Sequence, residues 1–452
     1  MMPMQKPTGG RFIKLALDTF INNLPVKIAM RVMILGGGLA GLTAADKLLD
    51  AGKADITILE KAPFLGGLAS SFEVEGDLIP RFNHHIVRTN TKTLEYLKRY
   101  DLLGNNTWKR INLAVALKDR VYNINKPWKY LKFNYLNFWE KLRFGLFGIY
   151  VSYILNPDKL PDDLDAETYL NKACGKSVTQ KMYYQLYGRN KFNIPLSQIA
   201  IKQFAHRMKE REFNDLFTYP MRGLQGMIDG LERDVVRKGC KIFMKATINS
   251  LDLQKKVITY TVGGKERSEV FDVLINTIPV PEFVNFAKGL PEDYVANIKK
   301  LRYTPVVGVL FGTKDFVDAE NYWINFLGER VHILYQHSVL VDKYKSKVSW
   351  LIRYGGSAED LPKSDEEIKD IYLGVLKRYF PNMELNWAFV FREKYAEPIY
   401  DKDYAKYAPG YRTPVRGFYN AGIQVTFPKI RNMNVALESG EKVAQYVLED
   451  FK

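Results

Sequence analysis

The sequence predicts an α/β fold of two or three domains, and three observations predict it. The first is the stretch RVMILGGGLAGLTAADKLLDAGKADITILEK, Arg31 to Lys61. An apolar run, a glycine turn, a helical pattern and a second apolar run follow one another there. The second is length, because 452 residues exceed what one compact core holds. The third is a change of pattern along the chain. Residues 101–209 carry aromatic-rich amphipathic stretches such as YLNFWEKLRFGLFGIYVSYIL, whereas residues 291–404 carry β-rich runs such as LRYTPVVGVLFG and KVSWLIRYGG.

The elements follow in order. Residues 1–29 include FIKLALDTFI, an apolar run broken by Lys14 and Asp18 and without a small-residue cleavage site. They read as a non-native leader, a miscalled start or a short amphipathic arm. Val32 to Leu35 is a short buried strand. Gly36-Gly37-Gly38-Leu39-Ala40-Gly41 follows at once, then the helical LTAADKLLDAG and the strand ITILE. This is GxGxxG in a Rossmann-like setting. Gly36 permits the tight turn, Gly38 lets backbone approach a pyrophosphate, and Gly41 lets the helix pack close to the strand. The helix N-terminus presents N–H groups and a positive dipole to phosphates. Glu60, about twenty residues on, can accept from ribose hydroxyls. The bland alternative is an ordinary glycine turn with Glu60 as a solvated strand end.

A second glycine pair lies in PFLGGLASSF, with Gly66 and Gly67 followed by Leu68 and Ala69. Together with the first glycines it resembles the extended fingerprint of the flavoprotein superfamily of flavin amine oxidases, protoporphyrinogen oxidases, phytoene desaturases and UDP-galactopyranose mutases. Three further stretches are similar to that family in the same order. They are VRKGCKIFMKATINSL (Val236 to Leu251), FDVLINTIPVPEF (Phe271 to Phe283) and GFYNAGIQVTFPKIRNMNVALESGEKVA near the end. The resemblance runs from Met30 over almost the whole chain. It implies FAD as cofactor in a glutathione-reductase type domain assembled from residues 30–100, 210–290 and 405–452. Residues 101–209 and 291–404 would form a discontinuous α+β substrate domain with a helical cap. The cofactor contacts it implies are Gly36, Gly38, Leu39, Ala40, Gly41, Glu60, Lys61, Gly66, Gly67, Leu68, Ala69, Ile248, Gly422, Asn434 and Val435. Two positions depart from the family pattern: Leu68 stands where many members have Arg, and Ile423 where most have an acid.

Candidate catalytic residues are His85, Arg88 and Tyr400. The segment His85-Ile86-Val87-Arg88-Thr89 resembles a family segment that passes near the flavin. In extended chain His84 and His85 point to opposite sides, so at most one faces it. A neutral imidazole there can hydrogen-bond flavin or substrate. Arg88 can hold an anionic group or serve a surface ion pair. Tyr400 lies in a run similar to the family's "A-x-P-x-Y" and either lines the pocket or shapes the chain's return.

Composition excludes several classes. The two cysteines, Cys174 and Cys240, form no CxxC pair and fit a reducing cytosol. None of the five histidines has HExxH spacing, so no metal is expected. A second GxGxxG is absent, so a dedicated nicotinamide domain is not expected. The net charge of +16 suits an anionic partner or is simply a solvated lysine-rich surface. NKPWKYLKFNYLNFWEKLRFG mixes rings and cations, which suits a membrane interface or a self-packed cap; nucleic acid is not expected. Phe144 to Leu155 falls short of a spanning helix and reads as buried or dipping into a membrane surface. The leading expectation is an FAD-dependent oxidoreductase, resembling protoporphyrinogen oxidases and desaturases. It would act on a hydrophobic small molecule and be cytoplasmic or peripheral to a membrane. A flavin-dependent sugar-nucleotide isomerase and a non-catalytic flavin fold are the alternatives.

Overall fold

The computed structural model of the protein describes residues 29–104, 107–209 and 216–451. The leader expected over residues 1–29 therefore lies outside them but for its last residue.

A five-stranded parallel sheet forms the nucleotide-binding layer. Its strands are β1 (Met30–Leu35), β2 (Ala54–Leu59), β3 (Lys241–Phe243), β4 (Val273–Asn276) and β5 (Phe418–Asn420), in spatial order β3-β2-β1-β4-β5. The last four residues of both β1 and β2 are buried, as continuous apolar runs in a sheet covered on both faces must be. Three helices complete the layer: α1 (Leu39–Asp50), α2 (Gln225–Arg237) and α3 (Met433–Asp450). Three sequence stretches separated by long inserts thus build one sheet. The close approach of α1 and α3 depends on Gly440, where a Cβ would lie 2.4 Å from the Ala40 carbonyl oxygen.

A buried acid fastens this layer. Asp46 on α1 accepts from Arg99 on the Thr91–Arg99 helix and from Lys238 at the end of α2 (2.5 and 2.7 Å). Burial raises the Asp46 pKa, but the two cations outweigh it and the net shift is downward.

The second large layer is a seven-stranded sheet. Its strands run in the order Leu385–Pro398, Tyr303–Thr313, Lys347–Arg353, Ile333–Gln336, Trp323–Phe326, Leu113–Leu117 and Arg120–Asn123. Neighbours are antiparallel except Trp323–Phe326 beside Leu113–Leu117. The aromatic-rich stretch 101–209 is thus helical only after its first third. It opens with a hairpin that extends this sheet, because Leu113–Leu117 is a buried apolar strand rather than a helix face. The helix Asp365–Tyr379, begun by a Ser364–Glu367 capping box, covers one face through Ile368, Tyr372 and Leu376. A four-stranded sheet with Thr247–Asp252, Val257–Val262 and Lys265–Val270 lies inside the 210–290 stretch and was not legible as a separate layer.

Helices fill residues 138–209. Phe147, Val151 and Leu155 face inward onto Leu170, Tyr183 and Phe204. Among the described residues no helix is long and apolar enough to cross a membrane.

Candidate functional site

The site begins at the end of β1. Gly36 sits at φ +101°, and a Cβ on it would lie 2.5 Å from the Thr277 hydroxyl, which itself donates to the Leu35 carbonyl (2.7 Å). A Cβ on Gly41 would lie 2.1 Å from the Gly36 carbonyl oxygen. At Gly38, by contrast, a Cβ meets nothing within 4 Å. The loop is therefore tight against the protein everywhere except at the glycine assigned to the pyrophosphate.

Glu60 locks this loop from the end of β2. One carboxylate oxygen accepts from the Gly37 N–H and the other from the Ala62 N–H, both at 2.7 Å. Each oxygen keeps a second lone pair, so Glu60 can hold the turn and accept a ribose hydroxyl together.

The two glycine motifs meet. Gly66 N–H donates to the Gly37 carbonyl (2.9 Å), and Gly38 bridges Gly66 in parallel sense. Gly66 and Gly67 have φ of +98° and +56°, conformations that favour glycine. Leu68 is half-buried, and its carbonyl lies 2.9 Å from His84 Nε2. A carbonyl can only accept, so His84 carries its proton on Nε2. Burial holds the His84 pKa down at about 4, so the ring is neutral near pH 7.

At the far end, Gly422 (φ +88°) donates its N–H to Ser439 Oγ (2.6 Å). Asn432 caps α3 by accepting from the Val435 N–H (2.8 Å). That leaves Met433 and Asn434 as the first-turn N–H groups with no helical acceptor.

These features invite comparison with known proteins. The model of the flavin-containing amine oxidoreductase family matches residues 39–448. The chain belongs to that family. As a flavin-containing amine oxidoreductase its cofactor is FAD. A 15-cis-phytoene desaturase of Capsicum annuum is 24% identical over 480 residues, covering 94% of this chain and 78% of the relative. Among solved structures, a candidate protoporphyrinogen oxidase from Exiguobacterium sp. 255-15 superposes with a TM-score of 0.74 at 17% identity, covering 93% of this chain and 99% of the other. A reduced UDP-galactopyranose mutase superposes with a TM-score of 0.71 at 16% identity, covering 93% and 96%. At such identities the structural likenesses show a shared fold.

The open space at Gly38, the doubly engaged Glu60 and the α3 N-terminus suit FAD. The structure places the remaining sequence candidates as follows. Leu39, Ala40 and Gly41 form the first turn of α1, and Ala69 is buried beside Gly67. Lys61 is exposed and pairs with Glu282 at 3.2 Å. Ile248 is half-buried in the four-stranded sheet opposite Tyr260, whereas Lys245 and Ala246 are the residues that bond back to Ala62 and Glu60. The Asn434 side chain accepts from the N–H groups of Lys92 and Thr93 (2.7 and 3.1 Å), so only its backbone remains to face a ligand.

Of the catalytic candidates, His85 lies among rings. Phe217, Trp323 and Tyr335 surround it at centroid distances of 4.7, 5.9 and 6.0 Å, and its Nδ1 is 3.2 Å from the Tyr322 hydroxyl. Adjacent His84 and His85 thus have different neighbours, and it is His84 that touches the second glycine loop. Arg88 is exposed. Tyr400 is buried and donates to the Ile423 carbonyl (2.5 Å), so it props the loop after Gly422.

Sequence reasoning missed one cluster. Lys191 pairs with Glu397, and Arg431 approaches the same carboxylate at 3.6 Å. The Tyr354 ring lies 4.3 Å from Lys191 Nζ. Glu397 is 1% exposed, with its other oxygen unpartnered among the described residues. Burial pulls the Lys191 pKa down to about 8 despite Glu397. These residues lie on distant segments, and no motif spacing links them.

Proposed function

We propose that this flavoprotein is an oxidoreductase of the protoporphyrinogen oxidase or desaturase kind, acting on a hydrophobic small molecule. FAD, when bound, supplies the acceptor for a hydride from a substrate C–H bond. The chain's own part is to hold and orient. Gly36, Gly38 and Gly41 with the α1 N-terminus seat the pyrophosphate, and Glu60 takes the ribose. Gly66 to Ala69 would help hold the cofactor, and the free α3 N–H groups of Met433 and Asn434 would stabilise negative charge on it. His84, neutral and donating to the Leu68 carbonyl, keeps the second loop in place without adding charge.

The observation that carries the reading is the change of surroundings from His84 to His85. One residue beyond the histidine that touches the second glycine loop, the protein presents the rings of Phe217, Tyr322, Trp323 and Tyr335 rather than a set of carboxylates. Rings exclude water and pack apolar ligands. A hydrophobic substrate resides in membranes, so the same reading has the enzyme peripheral to a bilayer, and the free Cys174 and Cys240 fit its cytoplasmic side. The test is anaerobic mixing of the oxidised holoprotein with a porphyrinogen or a polyene. Bleaching of flavin absorbance is expected, and an unchanged spectrum with both would overturn the proposal.

A second reading, a flavin-dependent sugar-nucleotide isomerase, is favoured by the convergence of Lys191 and Arg431 on Glu397, a cationic surplus of the kind that grips a diphosphate. It predicts turnover of UDP-galactopyranose by the reduced protein and none by the oxidised one. A non-catalytic flavin fold has only the departures Leu68 and Ile423 behind it, and purified protein unable to take up FAD would select it.

A further inference from the structure

Helix Phe138–Ile149, prolonged by a wider turn to Ile154, carries apolar side chains on two faces. The inward face is fully used. Phe147, Val151 and Leu155 join the helical core, and Glu140 is tied to Lys181 (2.8 Å), Ser177 and the Asn137 cap. Among the described residues the outward face has no cover. Phe138, Trp139, Leu142, Leu146, Ile149 and Ile154 are exposed, from 43% for Leu142 to 69% for Ile154. From Trp139 onward, spacings of three, four, three and five residues keep them on one side of the rod, with Phe138 four residues before Leu142. The stripe is about 25 Å long at 1.5 Å per residue. Trp128 and Leu131 are exposed as well, on a segment held beside this helix by the Lys141 side chain on the Leu131 carbonyl. A soluble monomer rarely leaves so continuous an apolar strip in water.

Charge identifies the occupant. From Lys126 to Asn156 the chain has five cations and one acid, Glu140, which is buried. Lys126 and Lys129 are engaged by Glu320 (2.9 and 2.5 Å), and Lys141 donates to the Leu131 carbonyl (2.6 Å). Lys132 and Arg143 are exposed beside the apolar side chains. Tryptophans at a polar–apolar boundary and long cationic stems that reach back to water suit a lipid headgroup layer. A second copy of the chain fits worse, because a self-complementary contact would bring the cations of two copies to one seam while the only acid of this stretch, Glu140, is buried and answers neither Lys132 nor Arg143.

We propose that this face lies in the surface of an anionic bilayer, with the helix parallel to the membrane plane and Trp128 and Trp139 at headgroup depth. The inference deepens the peripheral-membrane reading above and rests on it for its biological sense, but its test is independent of turnover.

The full-length holoprotein is mixed with vesicles of phosphatidylcholine alone or with added phosphatidylglycerol. Sedimentation and quenching of tryptophan fluorescence by brominated lipid are then measured. Binding to the phosphatidylglycerol vesicles that weakens with salt, together with quenching, is expected. Trp139→Ser with Leu146→Ser should lower partitioning about tenfold or more while flavin absorbance is retained. Lys132→Glu with Arg143→Glu, which leaves the apolar strip whole, should abolish the preference for phosphatidylglycerol. Protein left in the supernatant with every vesicle overturns the proposal. So does equal binding to both compositions, or a vesicle-free dimer that Leu146→Ser dissociates, which would assign the face to a second copy. Failure to bleach flavin with porphyrinogen or polyene would sink the substrate reading and leave the docking result standing.

Discussion

Gly38 and Gly41 are one turn apart, yet the structure gives them opposite roles. Gly38 has φ −75° and ψ 179°, values any residue adopts, and open space where a Cβ would go. Gly38→Ala should leave the stability of the apoprotein within about 0.5 kcal/mol and weaken FAD retention, read as the ratio of flavin to protein absorbance. Gly41→Ala drives a Cβ into the Gly36 carbonyl and should cost about 1–3 kcal/mol in urea unfolding. Equal effects of the two substitutions would disprove this division. Both glycines were legible in the sequence because GxGxxG records a backbone requirement. His84 was not singled out over His85, because alternation says only that the two diverge. Which one meets Leu68 depends on a loop sixteen residues away.

Among the elements, α1 shows how a helix legible from its own pattern acquires a partner that is not. LTAADKLLDAG predicts an amphipathic helix, and Leu42, Ala45 and Leu48 are buried as that pattern requires. Asp46 breaks the pattern by sitting on a buried face, fully covered, with Arg99 only 32% exposed across from it. Removing one partner of such a pair strands the other charges. Asp46→Asn should therefore destabilise by about 2–3 kcal/mol, below the range for a fully buried pair because the cations keep some water. Lys238→Ala should cost less, since Arg99 still covers the acid. Chemical denaturation of the two variants checks the order. The sign with pH follows from the lowered Asp46 pKa: its contribution is present above the usual carboxylate range and is lost as pH falls through the depressed value.

Across the whole molecule, buried His332 and His337 and half-buried His84 should weigh against the fold in acid. Burial lowers the pKa of His84 to about 4 and of His332 and His337 to about 3 each, against about 6.5 in an unfolded chain. Below pH ~6.5 the unfolded chain takes up protons that the native one refuses until pH 3–4, so stability falls as pH drops through that window. Each histidine contributes about 1.4 kcal/mol per pH unit there, or about 4 kcal/mol for the three together. Urea midpoints measured from pH 7.5 to 5 should fall steadily below pH 6.5. A flat profile would mean that these rings take up protons in the folded protein as readily as in the unfolded one.

What the sequence by itself determined is local and periodic: the β1-α1-β2 unit, the glycines at positive φ or close approach, Glu60 at its strand end, and the ordered stretches that resemble a flavoprotein. These are legible because hydrophobic period and backbone geometry leave their mark within a few residues. Tertiary structure alone decided that Leu113–Leu117 extends the distant seven-stranded sheet, that Lys191 and Arg431 converge on Glu397, and that one face of the Phe138–Ile149 helix is left without cover among the described residues. Each of those depends on which segments meet after folding, and residues hundreds of positions apart carry no periodic signal of one another.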